Sequence, residues 1–324
     1  MLQDNFGRKF HYLRLSITDV CNFRCNYCLP DGYEGKPEQA FLSLDEIRRV
    51  CAAFGAAGTR KIRITGGEPS VRKDLPEIIR TVKATPGIEK VAITTNGYRL
   101  PELVAEWAEA GLDALNLSID SLDPAVFKAI TGHSRLHELL DGLDRAIALG
   151  IPSIKVNAVM LRGLNDNQLT PFLEWLQHKP ITLRFIELMQ TGDNGEFFAA
   201  RHVAGEQLRQ WLLAQGWTQT LRALDAGPAQ EFHHPDYQGR VGLIMPYSKD
   251  FCSTCNRLRM DSTGKLHLCL FSETGIDVRP LLRADDQRDE LIEFLRQQLL
   301  DKKVSHFLQD GQSGGTRHLA MIGG

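Results

Sequence analysis

Short runs rich in apolar and β-branched residues recur along the first two thirds of the chain, separated by stretches whose apolar positions repeat every three or four residues. The runs at 12–18, 61–65, 90–95, 114–119, 153–159 and 182–186 read as strands. Between the first two, "SLDEIRRVCAAFGAAG" puts Leu44, Ile47, Cys51 and Phe54 on one helical face. Cys51 on that face reads as a packing residue, since a buried free cysteine behaves as a small hydrophobe. Ser43 with Glu46 three residues on predicts a capping box, and Gly58 a stop. Strands alternating with amphipathic helices imply βα units, a parallel sheet and right-handed crossovers. Polar residues gather where the strands end, in "TDVC", "TGGEP", "TTNG", "SIDS", "KVNAV" and "RFIELM". A parallel barrel brings such ends to one face, where its active site lies. No G-x-G-x-x-G follows the first strand, which argues against a dinucleotide-binding open sheet. The expected class is α/β, a partial TIM-type (β/α)6 barrel.

Beyond residue 221 the pattern changes. The stretch "RALDAGPAQEFHHPDYQGR" is polar and aperiodic; an apolar run, three cysteines and a charged, leucine-rich helix at 284–303 follow. These features predict a barrel over 1–222, a smaller domain over 223–308 and a tail over 309–324.

Composition narrows the classes without choosing among them. Of 324 residues, 43% are hydrophobic and 24% charged, enough for a real core. A net charge of −2 offers no bulk attraction to nucleic acid or an anionic membrane, so any anionic ligand must be met by locally placed Arg and Lys. No apolar run reaches the length of a membrane span, and the polar N-terminus lacks a secretory pattern. The expected location is the cytoplasm, where clustered cysteines bind metals or do redox work more often than they form disulfides.

The cysteines fall into two triads. Cys21, Cys25 and Cys28 are spaced C-x3-C-x2-C just after the first strand. Three thiolates are one ligand short of a saturated cluster or a structural zinc, so one metal position stays open. Cys252, Cys255 and Cys269 form a second triad, and "DSTG" within it predicts a hairpin turn that returns Cys269 beside the first pair. His267 could complete a Cys3His zinc site there. Against zinc stands the pair Arg257 and Arg259, which shares one side of a strand and suggests an anionic substrate beside an open iron.

The first triad, with "GGEP" (66–69) after the second strand, resembles the radical S-adenosylmethionine superfamily. Adding C-x2-C-x13-C, "CNRLR" inside it and a C-terminal Gly-Gly makes the whole chain similar to the GTP 3′,8-cyclase family of molybdenum cofactor biosynthesis. The resemblance implies two [4Fe-4S] clusters, one on each triad, the second making the smaller domain an iron–sulfur, GTP-binding one. It implies S-adenosylmethionine on the open iron of the first, held by Tyr27, Gly67, Ser118 and Met189. It implies GTP held by Arg14, Arg63, Thr94, Lys155, Arg257, Leu258 and Arg259, with Arg184 a further contact. The family's tail enters the active site, which would bring Arg317, Gly323 and Gly324 there and make Arg317 part of the radical-generating machinery. Hydrogen abstraction from ribose C3′ and attack of C3′ on guanine C8 are the implied reaction. A reducing electron donor, a downstream cyclic pyranopterin monophosphate synthase and a homodimer are the implied partners, although no stretch marks an interface. The residues also leave open a peptide-modifying radical enzyme and a zinc-stabilised binding module.

Overall fold

The computed structural model describes every residue except 36–39, 193, 222–225, 273, 316–321 and 323–324. All six expected strands form: β1 (Tyr12–Ser16), β2 (Lys61–Thr65), β3 (Lys90–Thr95), β4 (Ala114–Ser118), β5 (Ser153–Met160) and β6 (Thr182–Glu187). They pair side by side, in chain order and in parallel. The crossovers carry α1 (Leu44–Ala56), α2 (Leu75–Lys83), α3 (Leu100–Glu109), α4 (Pro124–Thr131), α5 (Leu136–Ala148) and α6 (Leu169–Leu176). At α1 the capping box is present: Glu46 N donates to Ser43 Oγ at 3.2 Å and Ser43 N to Glu46 Oε2 at 2.8 Å. The helix gives way at Ala57, and Gly58 follows at φ +94°.

Strand alternation sorts the residues. Leu13, Leu15, Ile62, Ile64, Val91, Ile93, Leu115 and Leu117 are fully buried in the main hydrophobic cluster with the helices. Their neighbours Tyr12, Arg14, Arg63, Thr94 and Ser118 point the other way and line the barrel. One face is therefore oil and the other is charge.

The remainder of the chain adds α7 (Gly195–Arg201), α8 (Gly205–Ala214), β7 (Thr218–Gln219), β8 (Gln230–His233), β9 (Arg240–Ile244), β10 (Arg257–Met260), β11 (Lys265–His267), β12 (Ile276–Asp277) and α9 (Arg288–Leu299). β9 lies parallel to β6, and β10 parallel to β1. One sheet results, ordered β12-β11-β10-β1-β2-β3-β4-β5-β6-β9-β8-β7. The later strands thus lengthen the barrel wall at both edges, and Leu258, Met260 and Leu291 share the cluster of Leu13 and Ile47. The expected boundary at 222 lies outside the described residues.

Two contacts fix the loops that matter. Gly67 N donates to Thr18 O at 2.8 Å and Glu68 N to Val20 O at 2.7 Å, so the "GGEP" turn lies against the segment entering Cys21. A Cβ on Gly67 would meet Val20 O at 2.4 Å and Asp19 O at 2.5 Å. On the other side, Arg8 pairs with buried Asp4 at 2.6 Å and donates to the carbonyls of Cys252 (3.1 Å), Lys303 (2.7 Å) and Val304 (2.8 Å). Gly67→Ala should cost about 2 kcal/mol by overpacking, read by urea unfolding, and should speed alkylation of Cys21 in metal-free protein. Arg8→Met, which strands a buried carboxylate, should cost about 3 kcal/mol in the same assay.

Candidate active site

Cys21, Cys25 and Cys28 are free thiols on the loop after β1. Cys28 N and Leu29 N both donate to Cys25 O, at 3.0 and 2.9 Å, coiling the loop. Arg24 N and Asn26 N donate to Thr131 O and Ile130 O, hanging it on the end of α4. His133 Nε2 donates to Asn22 O at 2.8 Å, and its ring stacks on Phe23. The three thiols border a cavity of about 180 Å³ with Gly66, Gly67, Thr94, Ser118 and Met189. Burial pushes Cys21 up to about 11 and Cys25 well above the usual thiol range. Bound metal would have to draw those protons off, as thiolate ligation requires.

Two buried carboxylates shape this cavity. Glu68 accepts from Thr95 Oγ1 at 2.7 Å, Asn96 N at 2.6 Å and Ser70 N at 2.9 Å, locking "GGEP" to the end of β3. Burial raises its pKa against the pull of those donors. Asp120 accepts from Tyr27 Oη at 3.0 Å and Val159 N at 2.8 Å, and burial lifts it to about 6. Tyr27 is thereby fixed at the cavity wall.

A second cavity, of about 100 Å³, is bordered by Cys252, Cys255, Cys269, Tyr12, Arg14, Arg63, Arg184, Arg257 and Arg259. Asn157, Ile186 and Met189 line both cavities, so the two adjoin. Register explains the cations: Arg14 on β1 is level with Arg259 on β10 and with Arg63 on β2. Parallel partners share a face, which sets three guanidiniums in a row. Arg184 meets Glu231 at 3.0 Å. For Arg63, Arg257 and Arg259 no carboxylate partner occurs among the described residues, and the Nε of each is buried without a hydrogen bond. Burial, then Arg259, holds Arg14 well below its usual range, and burial, then Arg257, brings Arg259 to about 10. Lys155 falls to about 7, through burial and then Arg184, Lys61 and Arg63. These are groups under mutual repulsion, and a multivalent anion would relieve it.

The same charges act on the second triad. Burial alone would raise Cys255, but Arg257 and Lys302 outweigh it and bring the thiol to about 7. The predicted hairpin is there: Asp261 Oδ1 accepts from Thr263 N and Lys265 N, each at 2.9 Å, and Gly264 takes φ +89°. His267 Nε2 lies 3.0 Å from Asp261 Oδ2, turned to the hairpin, and the residue is not in the thiol cavity. Among the described residues no three His, Cys, Asp or Glu side chains converge closely enough to hold one metal ion. A single zinc needs that convergence at about 2.3 Å from each sulfur, whereas a polynuclear cluster keeps its thiolates apart on separate irons. The donor sets fit iron–sulfur clusters.

Most of the residues singled out from sequence thus meet at one lumen, with exceptions. Leu258 turns its side chain into the core, 1% exposed, so only its backbone faces the site. Lys155 borders neither cavity; its Nζ donates to Ser153 Oγ at 2.8 Å. Arg317, Gly323 and Gly324 lie outside the described residues, although Ile322, 4% exposed, packs with Leu270, Phe271 and Leu308 beside Cys28, Met189 and Cys269. Sequence reasoning missed Glu68, Asp120, Asn157 and Tyr12. The first two sit inside "GGEP" and "SIDS", and Tyr12 and Asn157 stand two residues from Arg14 and Lys155 on the same strand faces.

Comparison with known proteins agrees with this geometry. Residues 15–176 match the model of the Radical SAM superfamily, and residues 181–308 match Molybdenum Cofactor Synthesis C. The GTP 3′,8-cyclase of Aeromonas hydrophila subsp. hydrophila is 60% identical, over 100% of this chain and 96% of its own length. That of Yersinia pestis is 57% identical, over 100% of this chain and 99% of its own. In fold, the chain is similar to Streptococcus suis SuiB, with a TM-score of 0.64 at 13% identity over 97% of this chain and 76% of that one. The cofactors are accordingly [4Fe-4S] clusters and S-adenosylmethionine. With its two thiol triads, joined cavities and full-length kinship, the chain belongs to the GTP 3′,8-cyclase family of radical S-adenosylmethionine enzymes.

Proposed function

We propose that the chain converts GTP to 3′,8-cyclo-7,8-dihydroguanosine triphosphate, and the row of buried guanidiniums beside an incompletely ligated second triad carries this reading. A cluster on Cys21, Cys25 and Cys28 supplies, when bound, reductive cleavage of S-adenosylmethionine and so hydrogen abstraction at ribose C3′, after which C3′ bonds to guanine C8. Around it, Gly67 and Ser118 meet S-adenosylmethionine in the first cavity, Met189 closes the side shared with the second, and Tyr27 is held in place by Asp120. Arg14, Arg63, Arg257 and Arg259 take the triphosphate, where planar guanidinium forks match phosphate oxygens. Thr94 reaches GTP from the wall of the first cavity, Leu258 contributes backbone alone, and Lys155 adds charge from beneath. Cys252, Cys255 and Cys269 would hold the second cluster, which would supply an open iron for the guanine base. The barrel over 1–222 carries the radical chemistry and 223–308 the base recognition. Ile322 packs with Leu270, Phe271 and Leu308 beside Cys28 and Cys269, and Arg317, outside the described residues, takes its part in the radical-generating machinery from the family resemblance alone. An electron donor, a cyclic pyranopterin monophosphate synthase that consumes the product and a second copy of the chain complete the set of partners.

The test is anaerobic reconstitution to about eight irons per chain, followed by incubation with reductant, S-adenosylmethionine and each nucleoside triphosphate. GTP alone should yield the cyclised nucleotide together with 5′-deoxyadenosine. Cys21→Ala should yield neither while still binding GTP, and equal turnover of ATP would defeat the assignment.

Lys155 gives a pH test. Its folded pKa near 7 leaves it largely neutral at pH 8, and a bound triphosphate favours its charged form. GTP binding at pH 8 should therefore take up protons, seen by calorimetry in buffers of different ionisation enthalpy. Lys155→Met should abolish most of that uptake.

A further inference from the structure

Tyr12 opens β1 two residues before Arg14, so both side chains enter the barrel. It is 2% exposed and lines the cavity of the second thiol triad. The hydroxyl of Tyr27 donates to Asp120, but the Oη of Tyr12 is buried with no hydrogen-bond partner. Buried hydroxyls are nearly always paired, and an orphan facing a cavity points to a missing ligand. The surroundings say what kind. Lys61 Nζ lies 4.9 Å from the ring centroid and Arg63 Cζ 5.4 Å, both in cation–π contact. Arg257 is its register partner on β10 and Lys61 its partner on β2. Burial would raise the phenol pKa, yet Arg63, Lys61, Arg14 and Arg257 outweigh it and hold it below the ordinary tyrosine range. Lys61 and Arg63 lie over the ring, and the hydroxyl keeps its one proton to give. Anionic oxygens collect where the cations are, and a neutral purine edge has no such pull.

We propose that Tyr12 is a further nucleotide-binding residue, whose Oη donates a hydrogen bond to a phosphate oxygen of the bound triphosphate. The proposal rests on the GTP reading above and extends it to a residue outside the arginine row. It also makes Tyr12 selective: an acceptor must arrive within hydrogen-bond reach of Oη, at the end of β1 farthest from Cys21.

Tyr12→Phe removes one unpartnered oxygen and keeps the ring and its cation contacts, so the fold is not at stake. Equilibrium dialysis on the reconstituted holoenzyme, without reductant or S-adenosylmethionine, would measure GTP directly and inorganic tripolyphosphate by competition. The expected result is about a 10-fold loss of affinity for both, with unchanged iron content and thermal midpoint. GTP affinity within twofold of the unaltered protein would overturn the proposal. So would a loss for GTP with none for tripolyphosphate, or tripolyphosphate that does not bind at all, since each puts the hydroxyl away from phosphate. GTP that fails to bind the unaltered holoenzyme would overturn the substrate assignment itself.

Discussion

Like charges held together out of water are the constraint on which this molecule turns. Arg14, Arg63 and Arg259 stand level on adjacent strands, and Arg257 faces the same lumen. Left to themselves they repel, and burial depresses the pKa of Arg14, Arg63, Arg259 and Lys155 alike. What keeps them in place is the opposite face of the same strands, where Leu13, Ile62 and Leu258 are sealed against the helices. Each strand thus spends apolar burial on one side to hold an unfavourable charge on the other. Such a site is preorganised for an anion because it is uncomfortable without one.

The first triad is built on a different principle. Among the described residues no cation lowers Cys21 or Cys25; both are pushed up by burial. Their loop is held by backbone hydrogen bonds to α4 and by the glycine turn pressed against residues 18–20. One centre is positioned by peptide geometry and the other is tuned by charge.

Periodicity made the six barrel strands and α1 legible, because each is a local pattern backed by a local cap or turn. The hairpin of the second triad was legible for the same reason. Where that hairpin docks was not: β10 pairs with β1 across more than two hundred residues, and no nearby residue encodes it. The outward turn of Leu258 follows from strand alternation once β10 is known to line the barrel. Glu68 and Asp120 were hidden because each accepts from a backbone N–H far along the chain, Asn96 N and Val159 N, which composition does not mark. What approaches the paired glycines in the structure is the chain entering Cys21.

The pairing of β10 beside β1 has a geometric consequence. Cys21 follows the C-terminal end of β1, whereas Cys255 precedes the N-terminal end of a strand running the same way. The two triads are therefore spaced by the length of a five-residue strand, about 16 Å. The wall works as a ruler. The S-adenosylmethionine proposed at one end and the nucleotide proposed at the other must together span that length for their reacting atoms to meet, so the sum of their reaches is set by strand length before any side chain reads either ligand.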